Sequence, residues 1–120
     1  MTRAIRGAVQ LESNTSEAME AGVTELLRSL LEENDLGEKD IVSVVFSQTI
    51  DLDADNPARC ARTDGYSTVP LFCTQEPVYP NSLPRVVRVL VTAERERWSS
   101  PAKPVYLGGA EALRPDLHTS

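Results

Sequence analysis

Hydrophobic positions along the chain change their period several times, and each change marks an element. The stretch RAIRGAVQL (3–11) sets Ile5, Val9 and Leu11 two or four residues apart, which predicts a first strand with Arg6 and Gly7 inside it. Gly7 marks a place where another backbone or a ligand can come close. The period then becomes helical, with Met19, Val23, Leu26, Leu27, Leu30 and Leu31 forming one stripe. Asn14, with Glu17 three residues on, predicts the start of this helix, and Gly37 predicts a left-handed end to it. IVSVVFSQT (41–49) reads as a second strand, apolar on both faces. Asn56-Pro57 predicts a short helix carrying Arg59, Cys60 and Arg62 and stopped by Gly65. A third strand is expected over 68–74, and Pro77, Pro80 and Pro84 keep the next connection stiff and irregular. The long apolar strand after it places Val86, Arg88 and Leu90 on one face and Val87, Val89 and Val91 on the other. A polar loop (94–104), a brief strand VYL (105–107), a Gly108-Gly109 turn and a helical turn with a tail complete the chain.

About five strands with one long helix and one or two short ones define an α+β fold. Two of the strands are apolar on both faces, yet one long helix covers one face only. In a chain of 120 residues the remaining cover is expected from another subunit. The length fits one domain over 1–120.

Composition narrows the function. With 18 acidic against 12 basic residues the net charge is −6, which argues against nucleic acid as a partner. An anionic small molecule would also be repelled unless arginines gather locally. Cys60 and Cys73 form no C-x-x-C pair and have no histidine cluster, so neither a zinc site nor a disulfide framework is expected. The acidic residues Asp51, Asp53 and Asp55 lack the glycine and terminal glutamate of a calcium loop. No signal peptide or membrane span is read at the N-terminus, and a cytoplasmic protein with free thiols is expected.

Candidate chemistry converges on 69–93. Cys73, Gln75 and Glu76 end a short strand, and Arg88 interrupts the long apolar one. A guanidinium there needs an anion, because a buried unpaired charge is very costly. That anion is either Glu76, in an internal ion pair, or part of a ligand. Taken alone, Arg6 is a solvated charge near the sheet edge, and Arg59 and Arg62 are surface arginines sharing one side of a helical turn.

Several segments together resemble the monofunctional AroH-class chorismate mutases, the small trimeric enzymes distinct from the all-helical kind. They are IRGA (5–8), PARCAR (57–62), VPLFCTQE (69–76), RVVRV (85–89), VYL (105–107) and LRPDL (113–117). The C-x-Q-E segment, followed twelve residues after its glutamate by an arginine, and the terminal LRPDL form the specific part. The resemblance implies a mixed sheet with the long helix on one face, and a barrel-like homotrimer with active sites at the subunit interfaces. It implies the Claisen rearrangement of chorismate to prephenate, which needs no cofactor, metal, nucleophile or proton transfer. By position, Arg88 donates to the ether oxygen. Arg6 and Tyr106 hold a substrate carboxylate, and Glu76 accepts from the substrate hydroxyl with the Cys73 backbone or thiol assisting. Arg59 and Arg62 draw in the dianion at the mouth, with Arg62 near the second carboxylate, and Leu113 and Arg114 belong to a C-terminal segment that closes over the site, its mobile tail running over about 114–120.

The chain departs from the family at Asn56, where an aromatic residue is usual, and in a segment 63–68 that is one residue short. Two other classes use similar parts. A non-catalytic trimeric protein that captures a small carboxylate would need the same arginines. Trimeric imine deaminases share the architecture, but the C-x-Q-E segment and LRPDL tail speak against them.

Overall fold

The computed structural model describes residues 1–113. Five strands form one mixed sheet: β1 (Thr2–Gln10), β2 (Ile41–Gln48), β3 (Leu71–Gln75), β4 (Val86–Glu94) and β5 (Val105–Leu107), in the order β3-β2-β4-β1-β5. β4 lies at the centre, antiparallel to both β1 and β2. The outer pairs, β2 with β3 and β1 with β5, are parallel. Helices α1 (Ser16–Glu33) and α2 (Pro57–Thr63) complete the α+β fold that the periodicity predicted.

Both helices cover the same face. α1 buries Met19, Val23, Leu26, Leu27 and Leu30 against Ile5, Val9, Val87, Val89 and Val91, and α2 adds Ala58, Cys60 and Ala61 to the same core. Each fully buried leucine contributes about 1.5–3 kcal/mol over leaving it exposed, so this packing, more than helix propensity, holds an 18-residue helix in place. Gly7 permits close approach as expected: a Cβ there would stand 3.1 Å from both the Val105 carbonyl oxygen and Leu30 Cδ1. The neighbours are α1 and β5 rather than a ligand.

The other face is largely bare. Phe72 is 64% exposed, Leu90 40% and Val45 37%, all on strands whose opposite side is core. Among the described residues only its β1–β5 end is covered, where the helical turn Ala110–Leu113 folds over Ala8, Val86 and Tyr106.

Element ends differ from the sequence reading for local reasons. The cap of α1 is Thr15, whose hydroxyl accepts from the Ala18 N–H at 3.1 Å. Asn14 instead binds the loop after β2, donating to Asp53 Oδ1 at 2.7 Å and accepting from the Asp53 and Ala54 N–H groups at 3.1 Å. At the C-terminus of α1 the left-handed residue is Asp35 (φ 51), not Gly37 (φ −99). The Asp35 N–H reaches Glu32 O and the Leu36 N–H reaches Leu31 O, a Schellman closure two residues earlier than predicted. The third strand begins at Leu71 rather than 68, because a turn from Tyr66 to Val69 occupies the residues before it. The second strand carries an irregularity between Ile41 and Ser43 that leaves Val42 49% exposed.

Gly108 ends β5 with φ 65, and a Cβ there would lie 2.6 Å from the Gln10 carbonyl oxygen. Gly108→Ala combines a disfavoured backbone with a collision against main chain that cannot swing away. It should lose about 1–3 kcal/mol, read as a lowered midpoint of thermal unfolding. An unchanged midpoint would mean that the β1–β5 edge rearranges freely.

Candidate active site

Strand pairing writes a row of side chains across the bare face. Thr74, Ser47, Arg88, Ala8 and Tyr106 are successive partners from β3 to β5. The adjacent row is Phe72, Val45, Leu90 and Arg6. Directly paired residues point to the same side, so the face mixes two arginines with an apolar wall.

Arg88 finds the carboxylate that the sequence allowed. Its Nε donates to Glu76 Oε1 at 3.1 Å and Oε2 at 3.0 Å. Glu76 is placed by its own N–H, which donates to the Gln48 carbonyl at 2.9 Å and extends the β2–β3 ladder by one residue. The Ser47 hydroxyl donates to Glu76 Oε2 at 2.8 Å. Nε carries one hydrogen, and it is spent on Glu76. The four on the two terminal nitrogens have no acceptor among the described residues. The Arg88 side chain is 46% exposed and that of Glu76 17%, so the buried guanidinium expected from the strand pattern is, in a single chain, half open to water.

Arg6 is exposed and has no hydrogen-bond or ion-pair partner among the described residues. With Arg88, Val45, Ser47 and Leu90 it lines a cavity of ≈ 270 Å³. Tyr106 is buried in the same face on the far side of Ala8, in the cluster that partly buried Leu113 joins. A larger cleft of ≈ 620 Å³ lies along α1, but it sets Glu32, Asp35 and Asp64 against the single cation Arg28, a poor place for a dianion. The entry into β4 is clamped just ahead of Arg88. Arg85, left-handed at φ 55, donates its N–H to Asp51 Oδ2 and its Nε to the Leu11 carbonyl, both at 2.9 Å. The Val86 N–H donates to the Thr49 hydroxyl at 3.1 Å.

Other residues singled out in the sequence stand elsewhere. The Cys73 thiol points to the helix side, as its register partner Phe46 does, and donates to Gln48 Oε1 at 3.2 Å. Burial pushes its pKa up, which suits a packed thiol and not a nucleophile. The backbone of Cys73 is placed differently. The Val44 N–H bonds the Pro70 carbonyl and the Glu76 N–H bonds that of Gln48, so in this parallel ladder Cys73 aims its main-chain groups away from β2, along the free edge of the sheet.

Arg59 lies on the helix side. Its Nε donates to Asp55 Oδ1 at 2.7 Å, and its Nη2 pairs with Asp55 and, at 3.1 Å, with Glu20 of α1. Glu20, Asp55 and Cys60 bring three donor atoms within 4.8 Å of one another, but the guanidinium already serves them as cation. The Cys60 thiol, pushed up to about 11 by burial and then by Asp55, resists becoming the thiolate a metal needs. Arg62 is exposed on the last turn of α2, without a partner among the described residues. Arg114 lies outside the described residues. Leu90 shares the face of Arg88 as the alternation predicted, whereas Ser47 and Val45 were not singled out from the sequence. Alternation in β2 pairs Val45 with Ser47, but only the placement of β2 beside β4 brings them to Arg88.

The chain resembles known proteins over nearly its whole length. The family model for chorismate mutase type I matches residues 2–117. The chorismate mutase AroH of Thermus thermophilus is 40% identical over 121 residues, covering 100% of this chain and 99% of that protein. The AroH protein of Bacillus subtilis is 36% identical over 118 residues, covering 98% and 93%. A solved structure of a chorismate mutase from Clostridium thermocellum superposes with a TM-score of 0.87 at 39% identity, covering 92% of this chain and 99% of that one.

The Arg59–Asp55 pair has a pH signature. Arg59 first, then the Ser16 hydroxyl and the Asn56 N–H, hold the Asp55 carboxyl well below the usual carboxylate range against the opposing effect of burial. A group whose folded pKa is depressed adds stability above its unfolded pKa and loses it as the pH falls through the folded value. Asp55→Asn should therefore lower the urea midpoint at pH 7, with the gap from wild type narrowing below about pH 4. A gap that stays constant down to acid unfolding would assign the loss to packing instead.

Proposed function

The chain belongs to the chorismate mutase type I family, and on that premise we propose that catalysis occurs at the Arg88–Glu76 cluster, in clefts between the subunits of a homotrimer. The reaction is the rearrangement of chorismate to prephenate, an isomerisation on the route to the aromatic amino acids. The observation that carries the site assignment is the way Arg88 is held. Glu76 engages only the inner nitrogen, leaving both terminal amino groups beside Arg6 over an apolar-walled cavity.

The substrate carries two carboxylates and an ether bond that breaks as a carbon–carbon bond forms. Arg6, with the Tyr106 phenol, takes one carboxylate through its planar fork. The terminal nitrogens of Arg88 donate to the ether oxygen, where negative charge grows in the transition state. A preorganised donor of this kind supplies roughly 3–4 kcal/mol. Glu76 accepts from the substrate hydroxyl, and the outward main chain of Cys73 borders the cleft from the edge of β3. Val45 and Leu90 exclude water and favour the compact conformer in which the two reacting carbons meet. No covalent or metal-bound intermediate enters this scheme.

The bare face supports the assembly. Phe72, Val45 and Leu90 need apolar cover, and two further copies of the chain supply it in a closed ring. In one chain α2 lies across the sheet from Arg88, so Arg62 reaches the second carboxylate as part of a neighbouring subunit. Arg59 is held by Asp55 and Glu20, so its charge is answered within the chain, and it meets the dianion only by exchanging those partners. Leu113, packed on the Tyr106 cluster, borders the cleft at its β5 end. No helix among the described residues is long and apolar enough to cross a membrane, and we place the enzyme in the cytoplasm with its substrate.

Loss of chorismate ultraviolet absorbance on adding the protein tests the reaction, with prephenate as the product. Arg88→Ala should reduce kcat by about 10²–10³-fold while KM changes far less. Saturable chorismate binding without turnover would point to a silent carboxylate-binding protein. Phe72→Glu should convert a species of three times 13.2 kDa into inactive monomer in sedimentation. A variant that stays trimeric would move the interface to another surface.

A further inference from the structure

We propose that Ser47 is a positioning residue for Glu76, selecting which carboxylate oxygen faces the substrate. This rests on the assignment of Arg88 and Glu76 to the active site. Ser47, on β2, is the register partner of Arg88 on β4 and of Thr74 on β3, so its hydroxyl rises between the two charged groups. It donates to Oε2 at 2.8 Å, the oxygen that also takes the Arg88 Nε hydrogen at 3.0 Å. Oε2 thereby holds two donors, while Oε1 holds only the longer branch of the shared Nε hydrogen, at 3.1 Å. A carboxylate oxygen has two lone pairs, so Oε1 keeps the acceptor position that a substrate hydroxyl needs.

The hydroxyl also governs Arg88 indirectly. A carboxylate and a guanidinium ordinarily prefer two parallel hydrogen bonds, which here would take one terminal nitrogen along with Nε. Ser47 draws Oε2 toward β2, and the carboxylate straddles Nε instead. Without that tether the carboxylate can swing into the forked arrangement and occupy a donor that the ether oxygen requires. The loss would then fall on the transition state, where that contact is strongest, more than on substrate binding.

Ser47→Ala should lower kcat about ten- to a hundredfold, the range for a hydrogen bond to a charged group, with KM within about threefold of wild type. Ser47→Thr, which keeps the hydroxyl on a strand that welcomes β-branching, should recover most of the loss, and the nearly isosteric Ser47→Val should not. In a Glu76→Ala background the removal of Ser47 should cost little more, because its partner is already gone. A plain packing role would make threonine and valine equivalent and the two losses additive, and either result overturns the proposal. So does a wild-type kcat for Ser47→Ala. Should the alanine variant not fold, the threonine–valine comparison carries the same decision. If wild-type protein turns chorismate over but Arg88→Ala is equally active, the site assignment fails, and the Ser47 proposal with it. If Arg88→Ala is inert while Ser47→Val matches Ser47→Thr, only the role of Ser47 fails.

Discussion

A sheet has two faces, and this chain carries helices for one. The leucines of α1 and the valines of β4 pack against each other, leaving Phe72, Val45 and Leu90 partly exposed on the other side among the described residues. Apolar area in that amount seeks a partner. The same openness lets a guanidinium stand on the central strand of a single folded chain without the desolvation penalty that a closed core would impose. Assembly would change those terms. Under the proposed assembly, neighbouring subunits would exclude water, Arg88 would depend on Glu76 and on the incoming dianion for its counter-charge, and the attraction between them would grow as the local dielectric falls.

Around Arg88 the contacts divide cleanly. The inner nitrogen is committed to structure and the outer pair is not, because Glu76 approaches from β3 and not from the tip of the side chain. Ser47 holds the carboxylate from below, and the Thr49–Asp51–Arg85 hydrogen bonds hold the start of β4. A left-handed non-glycine residue costs roughly 1–2 kcal/mol, so the strain at Arg85 is tolerated only because these bonds fix it. Arg59 contrasts with Arg88: it spends both inner and outer nitrogens on Asp55 and Glu20, and is thereby a fastening between α1 and α2.

Much of this was legible in the sequence. Period-two runs located the strands, the leucine stripe located α1, and the resemblance to the family named Arg88, Glu76, Arg6 and Tyr106, which strand register sets on one face of the sheet. What escaped depends on geometry that spacing does not encode. Adjacent Asn14 and Thr15 are both good caps, and the choice turned on Asn14 being claimed by the loop at Asp53. Asp35 took the left-handed position because Leu36 had to turn back into the core, which Gly37 could not have arranged from two residues further on. The Cys73 thiol faces away from Arg88 simply because neighbours on a strand alternate, so C-x-Q-E puts the carboxylate, and not the thiol, on the arginine's side. Ser47 was invisible without knowing that β2 lies beside β4.

The row from Thr74 to Tyr106 draws one residue from each of the five strands, across four ladders that join distant parts of the chain. A slip of one residue in any ladder would turn that strand's contribution to the opposite side of the sheet. Such non-local pairings form late and slowly, since loop closure must precede any reward from contact. The proposed site therefore has no half-built form in which some of its chemistry is available early. During refolding, helical content should return well before any power to rearrange substrate, so the enzyme's own turnover reports the last step of its assembly.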